Sequence, residues 1–170
     1  MQYFQAIRQF IHTLKAIDAA LTKAERYAEA RKFDVNNFCS ARLAPDMLPF
    51  VVQVRIACDH AKNAAANLSG KPAPKHEDNE ANFADLHGRI EKCLSFLETL
   101  GASDFEKTNS KTVIKVPYPP GKALLADDYL WGRQVPNFYF HVSMIYALLR
   151  HGGVDLGKGD FLGPINIFDA

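Results

Sequence analysis

The sequence predicts an all-α protein built as an antiparallel four-helix bundle. Four segments of roughly 16–29 residues repeat apolar side chains in steps of three and four, which gathers them on one face of a helix. None of the four is apolar all round, so each keeps a face for solvent. The length, 170 residues, suits one domain of about 100–200 residues. A chain this long buries roughly 70% of its unfolded surface and needs no disulfide or metal staple.

The first segment runs from Tyr3 to Arg31, with Phe4, Ile7, Ile11, Leu14, Ile17, Leu21, Ala24 and Ala28 on its stripe. The second runs from Pro45 or Asp46 to Leu68. Its stripe is Met47, Val51, Val54, Cys58, Ala61, Ala65 and Leu68. Asp46 is expected as its N-cap, accepting from orphan N–H groups of the first turn. Gly70, Pro72 and Pro74 end it, since Gly permits a left-handed cap and Pro cannot continue the ladder. The third runs from Asn79 to Leu100 and closes at Gly101. The fourth starts at Pro136, whose missing N–H is harmless in a first turn, and stops at His151 before Gly152-Gly153.

Between the third and fourth segments, Thr112-Val113-Ile114-Lys115-Val116 is β-branched and short. With the turn residues Pro117 to Gly121 and the return Lys122-Ala123-Leu124-Leu125, it predicts a small β-hairpin before the last helix. Asp127 or Asp128 is expected to cap a short helical turn through Tyr129-Leu130-Trp131. Gly157-Lys158-Gly159-Asp160 reads as a turn, because no helix-forming run follows it. The stretch from Leu156 to Ala170 carries Phe161, Leu162, Ile165, Ile167 and Phe168, enough apolar surface for a C-terminal tail docked on the bundle.

Composition excludes several roles. Lys plus Arg is 20 and Asp plus Glu is 19, a net charge of +1. A protein that lives on phosphate contacts normally shows a basic excess, so nucleic acid is not an expected partner. No apolar run approaches the ~20 residues of a membrane helix, and the start lacks the pattern of a signal peptide. Cys39, Cys58 and Cys93 are far apart and odd in number, which fits reduced thiols in a cytoplasmic protein. No GxSxG elbow, phosphate loop, HExxH or HxxxH pair occurs.

Histidine supplies the remaining candidate chemistry. His60, His87 and His141 lie near the apolar stripes of three different helices. His141 follows Phe138 by three and precedes Ile145 by four, so it is expected to point inward. Asp46, Gln53 and His60, seven residues apart, form one polar line along the second helix. Imidazoles from facing helices are how bundles build metal sites, and the bland alternative is a histidine bonded to a neighbour. His151 sits where a cation meets the carbonyl end of a helix dipole. The aromatics Tyr129, Trp131, Phe138, Tyr139 and Phe140 are expected to cover the bundle mouth or a dimer face.

Pro136 to Val142, Ala147 to Val154, Gly157 to Gly163 and Ala41 to Met47 together make a distinctive signature. On them the chain resembles an uncharacterised bacterial family of the DinB/YfiT-like superfamily, over nearly its whole length. The resemblance implies an up-down-down-up bundle, often dimeric. It also implies a zinc or nickel site built from one histidine of the second helix and an HxxxH pair of the fourth. Some members are thiol-cofactor-dependent transferases or isomerases. His141 resembles the first histidine of the pair, Ile145 stands in place of the second, and either His60 or Gln53 corresponds to the helix-two ligand.

These readings converge on one domain, residues 1–170, with a pocket between helices two and four bearing Asp46, Gln53, His60, His141 and Ile145. The expected ligand is a small molecule, or a divalent metal held weakly by His60 and His141. A metal- or thiol-dependent transferase or hydrolase, and a non-catalytic homodimeric interaction protein, are the competing readings.

Overall fold

The structure is a computed structural model that describes residues 2–168. Its main helices are α1 (Gln2–Arg31), α2 (Phe50–Ser69), α3 (Phe83–Glu98) and α4 (Val135–His151). Strands β1 (Val113–Val116) and β2 (Lys122–Leu125) form the expected hairpin, antiparallel, with Val113 opposite Leu125 and Val116 opposite Lys122. A five-residue helix, α5 (Lys158–Leu162), follows α4. No helix among the described residues is long and apolar enough to cross a membrane.

Side-chain pairs fix the helix directions. Phe50 stacks on Phe83, and further along Asp59 meets Arg89, so α2 and α3 run parallel. Phe10 packs on Phe138, and Tyr3 donates to Asp127 at 2.6 Å, so α1 and α4 also run parallel. Lys15 pairs with Glu98 and Asp18 with His87, which sets α1 against α3 in opposite directions. The result is the up-down-down-up order. Its core joins Phe10, Leu14 and Leu21 of α1 to Phe50, Leu68, Phe83, Leu86, Phe138 and Ile145, each at most 1% exposed. Ile114 and Val116 of the hairpin join the same core.

Four expectations need correction. Helix α2 begins at Phe50, and Pro49 occupies its N-cap position without a side-chain cap. Asp46 lies in an exposed turn outside the helix, because Pro49 pushes the residue before it out of the α region. Helix α3 begins at Phe83 and not Asn79. Asn82 and Asp85 form a reciprocal capping box that places the start there. Asp127 makes no cap, since its carboxylate accepts from Gln2 and Tyr3 instead. The expected turn at 157–160 opens α5, where the Asp160 carboxylate accepts from the Gly157 N–H at 2.8 Å.

The tail docks only in part. Lys23 pairs with Asp160, His12 donates to the Leu162 carbonyl at 2.7 Å, and Phe161 packs edge-on against Tyr146. Beyond Leu162 the apolar Ile165, Ile167 and Phe168 are exposed. Asp169 and Ala170, the end of the expected tail, lie outside the described residues.

The helical turn expected near Tyr129 is longer than a turn. Residues Asp128–Gln134 form a π-helical segment that runs directly into α4. Insertions of this kind occur mostly as single turns and often at functional sites. Here the segment carries a residue that reaches the candidate site.

Candidate functional site

The seam between α2 and α4 is joined by three polar rungs. Gln53, His60 and Asn67 succeed one another at intervals of seven on α2, so they share one helix face. Gln53 meets His141, His60 meets Gln134, and Asn67 meets Tyr129. The partners descend α4 and its π-helical extension as α2 ascends, as an antiparallel pair requires. The sequence-based polar line was therefore right for Gln53 and His60, but its third member is Asn67 and not Asp46.

The upper two rungs set the protonation pattern. His141 Nδ1 lies 2.7 Å from Gln53 Oε1, while Gln53 Nε2 donates to the Leu48 carbonyl at 2.9 Å. That second bond turns the amide so its oxygen faces the ring, which makes Nδ1 the protonated nitrogen. His60 Nδ1 lies 2.6 Å from Gln134 Oε1, an oxygen that can only accept. Each imidazole thus holds its proton on Nδ1 and carries a lone pair on Nε2. Among the described residues neither Nε2 has a hydrogen-bond partner, and neither is sealed from solvent.

The two rings lie close together, with centroids 5.9 Å apart and planes 16° from parallel. Burial disfavours the charged form of each. The pKa of His141 falls to about 4, through desolvation first and the neighbouring His60 second. His60 is also lowered, by burial and by Arg133, against the opposing bond to Gln134 and the charge of Asp59. At neutral pH the pair is two neutral acceptors beside each other.

Ile145 does not face this pair. It is completely buried in the core, on the side of His141 away from Gln134 and so away from His60. Asn137 lies three residues after Gln134 and four before His141, on the exposed side of the same helix face. A three-histidine metal centre does not fit these residues. The third position is apolar, and among the described residues no group of three His, Cys, Asp or Glu side chains is placed to hold an ion.

Residues 2–162 match a family model described as a domain of unknown function, DUF1993. The chain belongs to the DUF1993 family. A crystal structure of a DinB family member from Shewanella denitrificans is similar over 100% of this chain and 96% of that one, with 38% identity and a TM-score of 0.93. No curated protein matches the DUF1993 chain. The expected DinB-like bundle thus holds.

Two of the other histidines of this DUF1993 chain, His87 and His12, have structural partners. His87 bonds Asp18 at 2.6 Å, and His12 holds the tail. All three cysteines are buried and free. Of the aromatics, Tyr129 and Phe138 are core, while Trp131 and Phe140 are exposed.

Sequence reasoning missed Gln134, Tyr129 and Asn67 of the seam, and Arg89 outside it. Gln134 and Tyr129 sit in the π-helical stretch, where no 3.6-residue period marks an inward face. Arg89 is only 2% exposed and bonds Asp59, Asp78 and Glu80. A signal for it existed, since Arg89 lies three after Leu86 and four before Cys93, on the α3 stripe.

Proposed function

We propose that this protein binds a small molecule at the α2–α4 seam through the His60–His141 pair. One observation supports the reading. Two neutral imidazoles lie 5.9 Å apart, each with Nδ1 engaged by a glutamine and Nε2 left free. Such a pair accepts hydrogen bonds from a ligand that carries two donors. Burial has already removed the charge that would repel a proton donor.

Zinc or nickel at the same place would be held weakly. Two imidazoles bound to one ion at about 2 Å from each nitrogen have ring centres roughly 5–6.5 Å apart, so the spacing suits shared ligation. A tetrahedral site needs further ligands, and Ile145 supplies none.

The test follows the imidazole signals of His60 and His141 by NMR during a fragment screen and during zinc and nickel titrations. Expected are fragment hits that shift both rings and vanish in His60→Phe, with metal binding that is weak. Stoichiometric zinc or nickel in protein prepared without a histidine tag, lost on His141→Ala, would overturn the reading.

The exposed Trp131, beside Val135 and Tyr139 at an apolar cavity of about 210 Å³, favours a homodimer as well. Light scattering of Trp131→Ala should then show a lower mass than the parent, with fragment binding unchanged.

A further inference from the structure

Away from the histidine pair, on the α2–α3 side of the bundle, residues 70–82 cross from the end of α2 to the start of α3. A cavity of about 500 Å³ opens between this crossover and α3. A second, of about 570 Å³, adjoins it, and Lys75, His76 and Lys92 line both.

The charges here are unevenly satisfied. Glu80 is bonded by Arg55 and Arg89, and Asp85 is taken up by the N–H groups of Ala81 and Asn82. Among the described residues the Glu77 carboxylate accepts only from Asn79, at 3.4 Å. Lys75 and Lys92 form no ion pair among the described residues. Two buried atoms, Nδ1 of His76 and Nε of Arg89, have no hydrogen-bond partner among the described residues. The Arg89 side chain is 1% exposed and lines the first cavity. Its Nε–H lacks an acceptor, although the charge of the guanidinium is met by Asp59, Asp78 and Glu80.

The floor is also kept open. Gly88 lines the cavity in the interior of α3, where glycine weakens a helix. A Cβ placed there would meet nothing within 4 Å, so packing does not require the glycine. Any larger side chain would project into free space.

We propose that this cleft binds a small oxyanion, a phosphate or carboxylate group, held by Lys75, Lys92 and the imidazole of His76. Without the anion His76 resists protonation, through burial and through the charges of Lys62, Arg89 and Lys92, opposed by Asp59. A bound anion reverses that balance, which gives a readout independent of any activity.

The experiment titrates the protein with inorganic phosphate and, separately, with succinate, at constant ionic strength set by sodium chloride. The Gly88 amide and His76 ring signals are followed by NMR. Expected are saturable shifts, an upward move of the His76 titration, and binding weakened about fivefold in Lys75→Gln or Lys92→Gln, the scale of one exposed charge. Lys15→Gln, which loses a pair with Glu98 elsewhere, should bind as the parent does. Gly88→Leu should abolish binding while keeping the far-UV spectrum. The tighter of the two probes identifies the oxyanion. Shifts that grow linearly, match those from chloride, or ignore both lysine substitutions would overturn the proposal.

Discussion

The Oε1 of Gln53 lies 2.7 Å from Nδ1 of His141, and the same amide donates to the Leu48 carbonyl at 2.9 Å. One glutamine therefore decides which nitrogen of a buried histidine carries the proton. It does so from a helix start that Pro49 fixes. Leu48 precedes Pro49 and remains outside α2, which leaves its carbonyl available to receive the amide.

The depressed pKa of His141 makes stability fall in acid. In the unfolded chain the group titrates near 6.5, and in the fold near 4. Between those values the unfolded state binds more protons, so stability is full above pH 6.5 and declines as pH falls toward 4. His60 acts in the same direction. Allowing for solvent screening, His141 should account for about 2 kcal/mol of that decline. Urea unfolding of the parent and His141→Leu at pH 7 and pH 4.5 measures it: the difference between the two proteins should narrow in acid.

Gln53→Glu should raise the His141 titration well above 4. A carboxylate in place of the amide stabilises the imidazolium that the amide leaves unsupported. The ring signals of His141, followed against pH by NMR, report the shift. An unchanged midpoint would mean that the glutamate side chain turns away from the ring.

Asn137→His should improve zinc or nickel binding at least tenfold, about 1.4 kcal/mol, because it places a histidine four residues before His141 on the side that faces His60. Ile145→His places one four residues after, in the closed core, where an unpaired polar group costs about 1–3 kcal/mol. Calorimetric metal titration and thermal melts separate the two. The first should gain affinity at little loss of stability, and the second should lose stability without comparable gain.

Gly152→Ala should destabilise the fold by about 2 kcal/mol, the usual range for an overpacked contact. A Cβ there would sit 2.1 Å from Cε1 of the Phe38 ring, and Phe38 is itself wedged against Phe33 and Phe83. Gly157→Ala, whose Cβ would meet nothing within 4 Å, is the matched control. Denaturant midpoints of the two variants should differ clearly.

The sequence was most legible where one period ran unbroken. The stripe from Phe4 to Ala28 described α1, and the β-branched run at 113–116 described the hairpin. Gln53 and His60 were recognisable as one face because seven residues make nearly two turns. Asp46 shared that spacing but not the helix, since Pro49 outweighs a favourable capping residue. Gln134 was hidden because a π turn advances less per residue than an α turn, so its direction cannot be read with a period of 3.6. Arg89 was hidden because its charge is neutralised by Asp59 and Glu80, 30 and 9 residues away in sequence. Pairing at that distance leaves no local mark.

The parallel course of α2 and α3 turns the segment between them into a tether of limited length. Helix α2, with 20 residues, is about 30 Å long, and the chain must travel back that far before α3 begins. The thirteen residues 70–82 reach at most about 43 Å when extended. Pro72 and Pro74 favour that extended state. Removing three or four residues would exhaust the slack and pull Asn82 off the end of α3, whereas added residues would merely bow outward. A stretch that looks like a dispensable loop is thus one of the places where the chain can least be shortened.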